Sequence, residues 1–129
     1  MFNDCYKNIQ FLFRYYPALA VMEDKLYVIG GLDHRWRPMK FCERFDSKTN
    51  TWQEIAKLLS PRWNLGVAVL HNKIYAIGGN HNVEQFANTV EVYNPKLDIW
   101  DRSVAPMNSG RRCCGIAVVN DHILSLIHI

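Results

Sequence analysis

The sequence predicts an all-β fold made of four-stranded antiparallel units that repeat along the chain. The stretch DKLYVIGG ends at Gly30-Gly31, and its near copy NKIYAIGG ends at Gly78-Gly79, 48 residues later. The same shift aligns further pairs of unlike residue types without a gap, namely Arg14 with Arg62, Tyr27 with Tyr75, Glu43 with Glu91, Phe45 with Tyr93, Lys48 with Lys96 and Trp52 with Trp100. Recurrence at this period indicates a tandem structural repeat. No segment shows sustained helical periodicity.

Each unit is predicted to contain four short strands, which are clearest in the second unit. The apolar segment LGVAVL forms the first strand, and KIYAIGG follows after His71-Asn72, a connection short enough for a tight hairpin. NTVEVYN alternates, with its valines on one face and Glu91 and Tyr93 on the other. NPKLD forms a turn because Asn and Pro favour turn geometry. The fourth strand is IWDRSVAPM, which ends at Pro106.

These motifs together resemble the kelch repeat. An apolar strand is followed by Y-x-(I/V)-G-G, then by an E-x-(F/Y) strand and a later Trp. The run TVEVYNPKLDIW and the later VAPM resemble the kelch-like adaptor proteins, which carry BTB and BACK domains before their kelch repeats. The resemblance implies kelch-type β-propeller blades, each a four-stranded antiparallel sheet. The structural signature of the blades is carried by Tyr27, Gly30, Gly31, Trp52, Tyr75, Gly78, Gly79 and Trp100.

The repeats extend over residues 14–126, divided into 14–61, 62–110 and a partial third unit, 111–126. Residues 1–13 stay unassigned, and residues 127–129 lie outside the pattern. We therefore expect an incomplete ring of about two and a half blades that belongs to a longer protein. Because such a ring leaves strand edges and apolar faces uncovered, the isolated chain is expected to be poorly stable or to self-associate.

The composition argues against several classes of function. The net charge of +3 comes from scattered basic residues, so no nucleic-acid patch is predicted. No apolar run is long enough for a membrane helix. The cysteines and histidines lack the spacing of metal sites, and we expect no metal and no cofactor. Free thiols of a reducing compartment, and hence a cytoplasmic location, are predicted from Cys5, Cys42, Cys113 and Cys114.

Nothing in the sequence resembles a catalytic set, so no enzyme is predicted. The context of a nucleophile elbow is missing around Ser103, Ser109 and Ser125. Arginines precede Cys113-Cys114 and could lower the pKa of a thiol, but a packing role at the start of a strand is favoured.

The recurring glycines and aromatic residues are interpreted as structural. Adjacent glycines can cradle a phosphate, yet a polar loop and another strand follow them here rather than a helix. The double glycines are therefore predicted to turn the chain sharply beside a neighbouring aromatic residue. The recurring Tyr and Trp residues are predicted to pack between blades rather than to stack on a ligand.

Three arginines recur just before the strand that opens each unit: Arg14, Arg62 and Arg111. By resemblance, this region leads to the rim of the central channel. Guanidinium groups at the rim could receive acidic side chains of a partner protein through bidentate pairing. Alternatively, each arginine hydrogen-bonds a carbonyl of a neighbouring loop or blade. The sequence leaves both interpretations open.

The loops after the double glycines differ between units, LDHRWRPMK against NHNVEQFAN. Variable loops on a rigid repeat are where binding specificity usually lies. The predicted partner-binding residues are His34, Arg35, Trp36 and Arg37 in the first loop and Asn80, His81 and Asn82 in the second. Trp36 lies outside the Trp register of the repeat, so it is either an interaction anchor or a cap on a blade edge.

The resemblance implies a protein-interaction module. In kelch-like adaptors, the propeller captures a substrate protein and the amino-terminal domains, absent from this sequence, recruit a cullin-RING ubiquitin ligase. The alternative is a cytoskeletal kelch protein that binds actin. A third reading, an enzyme on a kelch propeller, finds no counterpart here for the copper or catalytic residues of such enzymes.

Overall fold

The computed structural model describes residues 14–82, 85, 87–111 and 115–126. The first blade is a four-stranded antiparallel sheet in sequence order, with β1 Ala18–Met22, β2 Lys25–Ile29, β3 Cys42–Asp46 and β4 Thr51–Ile55. The second blade repeats this order with β5 Gly66–Leu70, β6 Lys73–Ile77, β7 Val90–Asn94 and β8 Ile99–Asp101. A third hairpin consists of β9 Gly115–Val119 and β10 His122–Leu126. The described residues form no helix, and the predicted all-β fold is confirmed.

The first two strands of every unit are joined by a two-residue turn in the left-handed region. In the second blade, Leu70 pairs with Lys73 across His71 and Asn72, whose φ angles are 49° and 57°. Positive φ at both central residues is what a type I′ hairpin requires, and Asn and Asp tolerate it. The equivalent turns are Glu23-Asp24 and Asn120-Asp121. The tight hairpin predicted from the sequence is present in all three described units.

The fourth strand of the second blade is shorter than predicted. The sequence extends it to Pro106, whereas β8 ends at Asp101. The Asp101 carboxylate accepts hydrogen bonds from the Ser103 amide at 2.9 Å and the Ser103 hydroxyl at 2.6 Å. Because the Ser103 amide bonds to the Asp101 side chain, it does not bond to the neighbouring strand, and the chain leaves the sheet after Asp101.

Strand β7 is buried on both faces, although its sequence alternates. Val90, Glu91, Val92 and Tyr93 are all buried. Tyr93 belongs to the apolar core shared with the first blade, and Val90 belongs to a second core that Ile116 and Ile123 of the third hairpin help to form. A blade stacked between two neighbours therefore has no solvent face at its centre.

Aromatic residues join the first blade to the second. The rings of Tyr27 and Tyr93 lie 5.9 Å apart across the junction, and Trp100 packs on Tyr93 at 5.1 Å. The indole Nε1 of Trp100 donates to the carbonyl of Ala56 in the first blade at 2.9 Å. The structure thus places the recurring residues Tyr27 and Trp100 between the blades. Their large rings fill the core there, and the indole N–H of Trp100 has a hydrogen-bond acceptor.

We expect Trp100→Ala to lower the free energy of unfolding by about 3–5 kcal/mol, because it removes a buried ring and an inter-blade hydrogen bond. Trp36→Ala is the matched control, since Trp36 is 61% exposed, and it should cost no more than about 1 kcal/mol. Urea denaturation followed by circular dichroism measures both. Equal costs for the two variants would contradict the inter-blade role of Trp100.

Candidate protein-interaction surface

The double glycines lie where the backbone of the next unit crosses the blade. The amide of Gly31 donates to the carbonyl of Arg62 at 2.8 Å, and the amide of Gly79 donates to the carbonyl of Arg111 at 2.8 Å. A Cβ atom on Gly30 would overlap the Arg62 carbonyl oxygen. The predicted sharp turn is present, and aromatic residues lie beside it: a Cβ atom on Gly31 or Gly79 would meet the carbonyl oxygen of Tyr15 or Trp63, each at 2.8 Å.

Arg14 and Arg62 are buried within the blades, so a partner protein cannot reach them. The side chain of Arg62 is 0% exposed, and that of Arg14 is 1% exposed. Arg62 Nη1 donates to the carbonyls of Gly78 and Thr89, both at 2.9 Å, and Arg14 makes the equivalent bonds to Gly30 and Phe41, both at 3.0 Å. Of the two interpretations that the sequence left open, Arg14 and Arg62 follow the second: they hydrogen-bond backbone carbonyls. Their predicted contact with acidic side chains of a partner protein is corrected.

A buried glutamate completes each of these arginine sites. Arg62 Nε lies 2.8 Å from a carboxylate oxygen of Glu91, and Arg14 Nη2 lies 2.7 Å from one of Glu43. Burial lowers the pKa of the Arg62 guanidinium, and Glu91 offsets part of this effect. Burial likewise raises the pKa of the Glu43 carboxyl against the opposing effect of Arg14.

These glutamates were not identified as partners from the sequence, although a signal was present. Arg14 and Glu43 are separated by 29 residues, as are Arg62 and Glu91. When each repeat contains the same ion pair, an acidic residue recurs at a constant sequence separation from a recurring arginine. Arg111 instead donates to the Ser125 carbonyl at 2.7 Å and to the Ser109 hydroxyl at 3.3 Å, and it is half-buried.

The loop between β2 and β3 is organised by Asp33, a residue that the sequence interpretation passed over. Its carboxylate accepts the Arg35 amide at 2.8 Å, the Arg37 amide at 3.0 Å and Arg37 Nε at 2.9 Å. The backbone of Asp33 also bonds to Arg37 and Trp36, each at 3.0 Å. The hydrogen bonds that the carboxylate accepts, the one from the Arg37 amide first among them, lower the pKa of Asp33. An Asp that accepts backbone amides two and four residues later closes a turn on itself.

The closed turn presents the predicted side chains of the first loop to solvent. His34, Arg35, Trp36 and Arg37 are all exposed. Trp36 adopts a left-handed φ of 61°, and its indole stacks on the Tyr15 ring at 4.5 Å with an interplanar angle of 11°. Trp36 therefore covers Tyr15 with one face of its ring, while 61% of the residue's surface stays accessible.

The second loop is more enclosed than predicted. Asn80 is 0% exposed. Its backbone pairs with that of Trp63, and its side chain donates to the Asn82 carbonyl. The prediction that Asn80 contacts a partner protein is therefore corrected. His81 is half-buried, with Nδ1 lying 3.0 Å from the Pro61 carbonyl. Of the three predicted residues in this loop, Asn82 is exposed.

No group of metal-ligating side chains occurs among the residues that the structure describes. In the same part of the chain, no helix is long and apolar enough to span a membrane. Cys42 is a free thiol at 0% exposure, and burial raises its pKa to about 12. Cys5, Cys113 and Cys114 lie outside the described residues.

We expect the Cys42 thiol of the folded protein to react with iodoacetamide at least about a hundredfold more slowly than in denaturant, because the thiolate is the nucleophile and burial disfavours it. Mass spectrometry of the peptide that contains Cys42 measures the rate at mildly alkaline pH. The same peptide in urea is the control, and equal rates in the two conditions would contradict the prediction.

Comparison with known proteins agrees with this architecture. The model of the Kelch motif matches residues 14–59 and 61–108. The chain is 35% identical to human Kelch-like protein 11 over 83 residues, covering 64% of this chain and 11% of that protein. It is 39% identical over 106 residues to Kelch-like ECH-associated protein 1A of Danio rerio, covering 78% of this chain and 17% of that protein. The chain thus spans a small part of these relatives.

The fold also recurs in a solved structure. The structure of YjhT superimposes with a TM-score of 0.74 at 23% identity, covering 92% of this chain and 35% of that one. At this identity the match concerns the fold alone. With two repeats matched over residues 14–59 and 61–108 and two four-stranded blades, the chain belongs to the Kelch motif family.

Proposed function

We propose that this chain is part of a protein-interaction propeller, and specifically of the substrate-recognition propeller of a cullin-RING ubiquitin ligase adaptor. The observation that carries the proposal is the first loop, where Asp33 holds Trp36 and its neighbouring arginines exposed on a rigid blade. The names of the kelch-like relatives support the assignment to adaptors. The proposal includes a cytoplasmic location, because free thiols persist in reducing compartments.

In this function the chain contributes a surface and performs no bond-breaking step. Trp and Arg are the residue types that dominate binding energy at protein interfaces. A loop already closed by its own hydrogen bonds loses little conformational freedom when a partner binds, so more of the contact energy appears as affinity. The buried arginine–glutamate pairs would serve this function indirectly, by keeping the blades rigid beneath the loop.

The test is affinity capture with the intact protein. We expect a cullin and a specific substrate protein in the captured complex, and we expect Trp36→Ala to reduce the substrate but not the cullin. Leu97→Ala, which removes an equally exposed apolar side chain from the β7–β8 turn, is the matched control. Failure to capture either a cullin or a specific partner would contradict the proposal. Co-sedimentation with filamentous actin, lost in Trp36→Ala, would replace it with the cytoskeletal alternative.

A further inference from the structure

Two pairs of aromatic side chains lie at the junction between the two blades, and the adjacent residues Tyr15 and Tyr16 connect one pair to the other. Trp36 of the first loop stacks on Tyr15 at 4.5 Å. Tyr16 follows Tyr15 in the chain and packs at 5.8 Å, tilted by 49°, against Trp63 at the entry of the second blade. We call Trp36, Tyr15, Tyr16 and Trp63 the aromatic row. Trp36 and Tyr16 are 61% and 58% exposed, and Trp63 is half-buried.

Backbone hydrogen bonds hold each member of the aromatic row in place. Tyr15 exchanges two bonds with Leu32, at 2.9 and 2.8 Å, and Trp63 exchanges two with Asn80, at 3.2 and 2.8 Å. The Tyr16 carbonyl accepts the Asn64 amide at 3.1 Å, although Tyr16 itself adopts a left-handed φ of 51°. The row is therefore pre-organised, and the exposure of its rings does not come from a loose segment.

The charge beside the aromatic row is positive. His34, Arg35 and Arg37 are exposed around Trp36. The one carboxylate within this turn, Asp33, is already engaged by two amides and by Arg37, and its side chain is only 16% exposed. A partner that lies along the rings would therefore gain from carrying carboxylates at its ends.

We propose that the aromatic row binds a proline-rich protein segment that carries carboxylates beside its prolines. The inference rests on the proposed function and deepens it. A polyproline II segment has no internal hydrogen bonds, and its pyrrolidine rings pack flat against exposed aromatic side chains at low entropic cost. The exposed Trp36 and Tyr16 carry an indole N–H and a phenol O–H, which are groups that can donate to the free carbonyls of such a segment. Arg35 and Arg37 pair with the flanking carboxylates.

A single-stranded nucleic acid would also stack on aromatic rings beside arginines. The protein partner is favoured because the net charge of the chain is only +3 and its basic residues are scattered along the sequence, whereas nucleic-acid binding domains concentrate them in a patch. Nucleic acid is therefore included as an outcome of the experiment.

The experiment measures fluorescence anisotropy of labelled probes with the intact protein. One probe is a peptide of four Pro-Pro-Glu triplets, the second is the same peptide with alanine for every proline, and the third is an RNA oligomer of mixed sequence. We expect binding of the first probe only. Trp36→Ala should weaken this binding about tenfold or more, and Tyr16→Ala should weaken it several-fold. Arg35→Ala should make binding less sensitive to salt.

Leu97→Ala is the control and should bind the first probe as the wild type does. Equal binding of the proline-rich and alanine-substituted peptides would overturn the inference, as would preferential binding of RNA or unchanged affinity in Trp36→Ala. If the protein captures a cullin and a substrate but Trp36→Ala retains both, the interaction function holds and the aromatic row is not its site. The two proposals therefore fail separately.

Discussion

Replacing Arg62 with methionine is expected to lower the free energy of unfolding by about 3–5 kcal/mol, because it leaves the carboxylate of Glu91 buried without its counter-charge. Both side chains are 0% exposed, and their oxygen and nitrogen lie 2.8 Å apart. Arg62→Met also leaves the carbonyls of Gly78 and Thr89 without the guanidinium that they share. Urea denaturation of the wild type and the variant measures this difference.

Two further variants separate the ion pair from its surroundings. Arg37→Met breaks an ion pair of similar length whose arginine is 65% exposed, and it should cost at most about 1 kcal/mol. Combining Arg62→Met with Glu91→Gln should cost less than the sum of the single changes, because the double variant leaves no buried charge unpaired. Strict additivity, or a cost for Arg62→Met no larger than that for Arg37→Met, would contradict the structural role of the pair.

Gly30→Ala is expected to destabilise the protein by about 2–5 kcal/mol, the sum of left-handed backbone strain and overpacking. Gly30 has a φ of +62°, and a Cβ atom there would overlap the Arg62 carbonyl and lie 3.5 Å from the Leu58 side chain. Since the Arg62 carbonyl also accepts the Gly31 amide, a shift that relieves the overlap would weaken the contact between blades. Thermal unfolding followed by circular dichroism measures the loss.

Asn50→Ala is the control for the part of this cost that comes from left-handed backbone strain. Asn50 has a similar φ of 53° and is exposed in the β3–β4 turn. Its replacement by alanine should cost about 1 kcal/mol, because only the left-handed strain applies. If Gly30→Ala costs no more than Asn50→Ala, close approach of the Arg62 carbonyl is not the reason for glycine at this position.

The repeat and its strands could be predicted because they depend on local patterns. Alternation and turn residues identify each hairpin, and Asn and Asp tolerate the positive φ that its turn requires. The end of β8 was missed because the Asp101 cap depends on two hydrogen bonds to one side chain rather than on periodicity. Asp33 was missed for the same reason, although a search for an Asx turn at the start of the loop would have found it.

The site was predicted in part. Exposure of the residues around Trp36 follows from a polar loop with its own closing hydrogen bonds, and the structure shows it. The burial of Asn80 does not follow from its sequence, because it depends on the paired approach of Trp63 from a segment 17 residues earlier. Likewise, the aromatic row includes Tyr15 and Tyr16, whose neighbours come from two separate loops.

By itself, the sequence determined the all-β class, the two full units, the tight hairpin at His71-Asn72 and the family. The repeat period indicates which residues are equivalent in successive units, but it does not indicate which residues are in contact. Folding within the second blade decided that Arg62 meets Glu91. Only the stacking of one blade on the next decided that the Arg62 carbonyl crosses Gly30 and that Tyr16 packs against Trp63. These contacts depend on the direction in which successive sheets pack, and that direction is a property of the assembled backbone rather than of any local pattern.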